Sequence, residues 1–225
     1  MTTVPALPRG LYLLTRETAD TATLLHIVAA ALHGGAVAVQ YRDKSGDCAR
    51  RLRQAGALVA LCSAHGVPLI INDDVALAAQ VGAAGVHLGE TDVSIADARA
   101  QLGARAIIGA SCYNDPARAA RRAAEGASYL AFGSFFDSAT KPAARRAHPL
   151  QLRQARRHGL PLVAIGGISA GNCGPLIAAG ATLLAVISGV FDADDPRAAA
   201  AAIASCFGVA SDHARDGGIN ALRDP

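Results

Sequence analysis

The sequence predicts a single-domain (β/α)₈ barrel, and three observations carry that expectation. Short Val- and Ile-rich runs alternate with Ala-rich stretches of helical length along the chain. Glycines punctuate the helix-to-strand joins at Gly66, Gly103, Gly126, Gly159 and Gly180, where a helix C-terminus favours the residue without a Cβ. Eight strand–helix units fit into roughly 200 residues, the usual span of a closed barrel. The same alternation would also build an open doubly wound sheet, which is the second choice.

The strands are placed near Gly10–Thr15, Ala36–Arg42, Pro68–Asn72, Gly85–Leu88, Ala106–Ala110, Tyr129–Gly133, Leu162–Gly166 and Thr182–Ser188. They are short and apolar, as parallel strands covered on both faces must be. Helices are placed near Asp20–His33, Gly46–His65, Asp74–Val81, Ser94–Leu102, Pro116–Glu125, Pro149–His158, Gly171–Ala178 and Pro196–Phe207. The barrel is assigned to residues 1–207. The polar, Gly-rich stretch 208–225 is expected to add nothing to the core.

With 52% hydrophobic but only 4% aromatic residues, the core must be built of Ala, Val, Leu and Ile. The net charge of +3 is mild, and the Arg pairs lack the interleaved aromatics of a base-stacking surface. They read as exposed helix faces, so nucleic acid is not an expected partner. The five cysteines include no C-x-x-C pair, which argues against a disulfide framework and fits a cytoplasmic setting. No apolar run is long enough to predict a membrane span. Small-molecule substrates are expected, and the composition permits a homo-oligomer.

In such a barrel, chemistry sits at the C-terminal ends of the strands. The second strand ends in Gln40-Tyr41-Arg42-Asp43-Lys44, where Gln40, Arg42 and Lys44 share one face. Two cations and an amide suit an anionic substrate. Lys44 and Lys141 are the only lysines in the chain, and both fall at strand ends. The third and fourth strands end in Asn72-Asp73-Asp74 and Gly89-Glu90-Thr91-Asp92. Carboxylates from these neighbouring loops, with a diphosphate, would suit Mg²⁺. Helix capping is the competing role: it is preferred for Asp74 and weighs equally for Asp73 and Asp92.

Ser111 reads more simply as a turn residue than as a phosphate donor. Cys112 lacks a His at a comparable strand end, His87 lying within the fourth strand, so a Cys–His mechanism is not expected. The long loop from Gly133 to Pro142 holds three hydroxyls, of Ser134, Ser138 and Thr140, and Lys141, groups that a phosphate-closing lid would need. Gly166-Gly167 after the seventh strand and Ser188 after the eighth occupy the usual phosphate cradle of these barrels.

Taken in order, Gln40-x-Arg42-x-Lys44, Ile71-Asn72-Asp73-Asp74, Gly85-Val86-His87-Leu88-Gly89-x-x-Asp92, Gly109-x-Ser111, Ser138-x-Thr140-Lys141-Pro142 and Ile165-Gly166-Gly167-Ile168 resemble the thiamine-phosphate synthase family. The likeness runs from about Leu11 to Phe207. It implies that hydroxymethylpyrimidine diphosphate binds at Gln40, Tyr41, Arg42, Asp43, Lys44, Asn72, Ser111 and Lys141. Arg42, Lys44 and Lys141 would carry catalysis, and Asp73 and Asp92 would hold Mg²⁺. Ser138, Ala139, Thr140, Gly167, Ile187 and Ser188 would bind a thiazole phosphate, or its carboxylated form with loss of CO₂. The products would be thiamine phosphate and pyrophosphate.

The sequence departs from the family pattern at Glu90, where Gln is common, and at Ser134 and Asp137, where prolines are common. Ser138 stands where Thr is usual. The alternatives are a barrel that isomerises a thiazole phosphate, a non-catalytic phosphate-ligand sensor, and a generic sugar-phosphate epimerase or isomerase. The lysines with Asp73 and Asp92 argue against the thiazole isomerase, which needs no diphosphate site.

Overall fold

The computed structural model describes residues 7–137 and 145–213. Its strands are β1 (Gly10–Leu14), β2 (Ala36–Tyr41), β3 (Leu69–Asn72), β4 (Gly85–Leu88), β5 (Ile107–Tyr113), β6 (Tyr129–Phe132), β7 (Leu162–Ile165) and β8 (Leu183–Val186). They close into a barrel in sequence order. β8 pairs in parallel with β1, Gly10 opposite Leu183 and Leu13 opposite Val186, which excludes the open sheet.

The helices are α1 (Thr21–His33), α2 (Cys48–Ala64), α3 (Val75–Val81), α4 (Ile95–Leu102), α5 (Pro116–Ala124), α6 (Pro149–Ala155), α7 (Gly174–Ala179), α8 (Ser188–Phe191) and α9 (Pro196–His213). Capping side chains set several of their starts. Asp20 accepts from the backbone N–H groups of Ala22 and Thr23, Asp74 from Leu77, and Ser94 from Asp97. Each satisfies donors that the first helical turn leaves without partners.

Strand alternation divides the core into two layers. Tyr12, Ala38, Ile70, Ile107, Tyr129, Val163 and Leu183 fill the barrel interior. Leu11, Leu13, Val39, Val86, Ile108, Leu130 and Leu184 face the surrounding helices. Burying a Leu or Ile side chain in either layer contributes about 1.5–3 kcal/mol.

The structure differs from the sequence expectation at four places that bear on the site. β5 continues three residues beyond Ala110, because Ser111 and Tyr113 pair with Ala131 and Phe132 of β6. Ser111 is therefore a strand residue, not a turn. α7 starts at Gly174 rather than Gly171, since the Asn172 side chain accepts from Ser169 N–H and holds that segment as a turn. Ser188 opens the short helix α8 instead of ending a strand. α9 runs past Phe207 and Gly208 to His213, as a helix can at the modest cost of one glycine. Among the described residues, no helix is long and apolar enough to cross a membrane.

Candidate active site

A cavity of about 410 Å³ opens at the C-terminal ends of the strands. Gln40, Arg42, Lys44, Asn72, Asp73 and Ser111 line one part of its wall; Gly166, Gly167, Ile168, Ile187 and Ser188 line another. The barrel thus brings together most of the residues picked out from separate strand ends.

On the first side, the period-two geometry of β2 carries Gln40, Arg42 and Lys44 inward. The Arg42 backbone N–H donates to Thr15 Oγ1 (2.9 Å), and that of Lys44 donates to Glu17 Oε2 (2.9 Å). These bonds to the β1 loop fix the exit of β2. Lys44 Nζ reaches Asp73 Oδ2 at 2.5 Å. Asp73 holds a left-handed backbone, φ 63°, which Asp tolerates better than most residues and which recurs at functional sites. Asp74 is spent elsewhere, capping α3 and pairing with Arg51 at 2.8 Å.

Asp92 does not cap α4, a role taken by Ser94. Its Oδ2 accepts from Gly89 N–H at 2.6 Å, and its carboxyl shares a hydrogen bond with Asp73. Burial pushes both carboxyls up. For Asp73 the Lys44 ammonium and the bond with Asp92 outweigh burial and hold it below the usual carboxylate range. Asp92 stays raised, by burial and then by the Asp73 charge. Two adjacent carboxyls, the second raised by the charge of the first, are a fitting donor set for a hard divalent cation, which would let both ionise. Among the described residues, no group of three or more His, Cys, Asp and Glu side chains is placed to hold a metal.

Ser111 projects into the cavity from β5, its Oγ 2.9 Å from His87 Nε2. His87 Nδ1 lies 2.9 Å from the Tyr129 hydroxyl, which lies 2.8 Å from that of Tyr12. Gln40 Nε2 donates to Tyr12 Oη at 2.9 Å. Cys112, next in sequence, faces the helices and is fully buried. Burial pushes its thiol up to about 12, so it is no nucleophile.

On the second side, Gly166 and Gly167 both take positive φ, 105° and 62°. A Cβ on Gly167 would stand 2.2 Å from the Asp137 carbonyl oxygen, and one on Gly166 would stand 2.0 Å from Ser134 Oγ. The pair therefore also lets the β6 loop approach closely, and the Phe136 backbone N–H donates to Gly166 O (3.0 Å). Asn172 Nδ2 donates to Gly167 O (2.9 Å) from the other side. Ser138, Ala139, Thr140 and Lys141 lie outside the described residues. Of the departures from the family pattern, Asp137 pairs with Arg146 and Ser134 Oγ donates to Phe136 O (2.8 Å). Glu90 lies 3.7 Å from Arg145, whose guanidinium sits over the Tyr113 ring (5.4 Å).

Tyr41 and Asp43 do not join the cavity. Both occupy outward positions of the β2 exit and meet α2: Tyr41 donates to Gln54 Oε1 (2.9 Å), and Asp43 pairs with Arg50 at 3.0 Å. Arg50 is thereby drawn off the exposed helix face on which its sequence places it. Four neighbours of the site escaped the sequence reading: Tyr12, Tyr129, Arg118 and Arg145. Buried Arg118 donates from Nε to Ser111 O (2.6 Å) and from Nη2 to Gly89 O (2.9 Å), tying β5 to the β4 loop.

Closed barrel, cationic strand exit, acid pair and glycine-rich opposite wall define a (β/α)₈ enzyme for phosphorylated small molecules. Residues 11–190 match the thiamine monophosphate synthase family, and the chain belongs to it. The chain is 59% identical over 203 residues to the thiamine-phosphate synthase of Thiobacillus denitrificans, covering 89% of this chain and 95% of that one. It is 56% identical over 206 residues to that of Chromobacterium violaceum, covering 91% and 99%. The solved thiamine phosphate pyrophosphorylase of Pyrococcus furiosus superposes with a TM-score of 0.79 at 31% identity, over 89% of this chain and 96% of that one.

Proposed function

We propose that the protein is a transferase that condenses hydroxymethylpyrimidine diphosphate with a thiazole phosphate, giving thiamine phosphate and pyrophosphate. What supports this reading most directly is the convergence of Lys44, Arg42 and Asp73 on one wall of a single cavity, opposite the Gly166-Gly167 turn, with Asp92 hydrogen-bonded to Asp73 beside that wall. The diphosphate takes the first wall and the monophosphate the second.

Arg42 offers a planar fork to the diphosphate oxygens, and Lys44 a mobile point charge. Asn72 and Ser111 add neutral hydrogen bonds, and Lys141 a third cation. Mg²⁺ held by Asp73 and Asp92 would supply further neutralisation of the leaving group. The pyrimidine CH₂–O bond breaks first, its electron pair leaving with pyrophosphate. The ring amine stabilises the resulting cation. The thiazole nitrogen lone pair then forms the new C–N bond, and the positive charge ends on the thiazolium ring. Ser138, Thr140, Gly167 and Ser188 anchor the thiazole phosphate so that this nitrogen faces the cationic carbon. No protein nucleophile is required.

The deciding experiment measures pyrophosphate release from hydroxymethylpyrimidine diphosphate with and without Mg²⁺ and thiazole phosphate. Metal-dependent release with stoichiometric thiamine phosphate is expected. Tight binding of both ligands without product would favour a sensor instead.

A further inference from the structure

Along the wall and floor of the cavity, hydrogen-bonded side chains cross the barrel from β2 to β5. Gln40, Tyr12, Tyr129, His87 and Ser111 follow one another at 2.8–2.9 Å. Gln40, Tyr12, His87 and Ser111 all line the cavity, whereas Tyr129, the link between Tyr12 and His87, is wholly buried behind them. Neither phenol has a part in the chemistry above.

An amide N–H can only donate, so Tyr12 Oη accepts from Gln40. Each further link joins hydroxyl or imidazole groups that both donate and accept, so the chain is continuous from Gln40 to Ser111 Oγ, and Ser111 is tethered through His87 to the two phenols. Burial pushes both phenols well above their ordinary range, so each keeps its one proton.

The strand sequence is built around this chain. Gly109 is the register partner of Tyr129, and a Cβ at Gly109 would stand 1.9 Å from Tyr129 Cζ and 2.3 Å from its hydroxyl oxygen. Only glycine leaves room there for the phenol to lie across the barrel.

We infer that Tyr12, Tyr129 and His87 are positioning residues, a hydrogen-bonded relay that holds the Ser111 hydroxyl where it meets the pyrimidine diphosphate; the inference rests on the substrate reading above. The Tyr129→Phe variant keeps the ring and removes the hydroxyl that joins Tyr12 to His87, leaving the Gln40–Tyr12 and His87–Ser111 bonds in place.

The test is a double-mutant cycle read by calorimetric titration of hydroxymethylpyrimidine diphosphate with Mg²⁺ present, together with KM for each substrate. Tyr129→Phe should weaken pyrimidine diphosphate binding about tenfold, the scale of one hydrogen bond to a charged group, and leave KM for thiazole phosphate unchanged. Ser111→Ala should weaken it comparably, and the double variant should bind no more weakly than Ser111→Ala alone. Additive losses, or full affinity in Tyr129→Phe while Ser111→Ala binds weakly, would overturn the relay alone. Full affinity in Ser111→Ala would overturn the relay and the placement of the diphosphate together. Tyr12→Phe, which breaks the chain one link earlier, must also weaken binding, and it decides the matter if Tyr129→Phe does not fold.

Discussion

Lys44 and Asp73 meet at the barrel mouth between neighbouring strands, the ammonium beyond the end of β2 standing 2.5 Å from a carboxylate that follows β3. The contact aims the lysine at the place where the acid pair and a diphosphate would converge. The side chain is half-exposed, so the ion pair itself contributes little stability. Lys44→Ala should therefore fold normally and lose turnover. A charge that meets the leaving group in the transition state contributes about 10²-fold or more to kcat. Steady-state kinetics with both substrates saturating checks this, and an unchanged kcat would remove Lys44 from the chemistry.

Asp73→Asn keeps the size of the side chain and removes one of two carboxylates. If the pair holds Mg²⁺, the variant should need roughly tenfold or more additional metal for half-maximal activity, the scale on which metal sites respond to lost ligand interactions. Activity across a Mg²⁺ titration, with calorimetric binding of the metal alone, separates this from a general loss of fold. A wild-type metal dependence would place the ion elsewhere.

Gly167→Ala should be destabilising as well as inactivating. The residue sits at φ 62°, and an added Cβ would press within 2.2 Å of the Asp137 carbonyl oxygen. Backbone cannot yield as a flexible side chain can, so the loss should exceed about 1 kcal/mol. For a chain of this size that is a fall in Tm of at least about 2–4 °C. KM for thiazole phosphate should rise in the same variant, since the turn forms that wall of the cavity. A variant with wild-type Tm would show that the β6 loop gives way freely.

What the sequence made legible was whatever a period or a turn rule reaches. The period of two placed Gln40, Arg42 and Lys44 together, and the same rule sends Tyr41 and Asp43 outward to α2, where Gln54 and Arg50 receive them. Asp74 was readable as a cap from its place before α3. Tyr12 and Tyr129 were not readable, because a buried aromatic in a strand looks like core until its hydroxyl's partner on another strand is known. Gly109 was the available signal: a glycine inside a strand marks a close approach, here by the Tyr129 ring. Arg118 sits in a helix of Ala and Arg whose pattern suggests a solvated face; only the fold reveals the two carbonyls behind it.

Arg118 supplies the fourth prediction. It holds the ends of β4 and β5 together through Ser111 O and Gly89 O. Gly89 in turn donates its N–H to Asp92. Arg118→Met keeps an apolar stem of similar reach and strands both carbonyls, each costing about 1–3 kcal/mol when buried without a partner. Denaturant unfolding should show the loss. KM for pyrimidine diphosphate should rise more than KM for thiazole phosphate, because the disturbed β5 end and β4 loop carry Ser111 and Asp92 and not the Gly166-Gly167 turn.

Asp43 supplies the last, and it concerns stability alone. Its carboxylate is almost wholly buried, accepts from Ser45 N–H at 2.8 Å and pairs with Arg50. Burial pushes the carboxyl up, but the bonds from Ser45 and the Arg50 charge outweigh it and leave it below its ordinary value of 3.8. A carboxyl depressed in the folded state binds its proton more readily in the unfolded one, so stability rises with pH through this window. The contribution is complete above the ordinary carboxylate value and disappears as the pH falls through the lower folded one. Asp43→Asn should therefore cost roughly 1–3 kcal/mol at pH 7, the scale of a buried hydrogen-bonded charge. The gap between wild type and variant should narrow as unfolding is followed to pH 3 and below. A gap that stays constant with pH would mean that Asp43 acts through its shape and hydrogen bonds and that its charge contributes nothing.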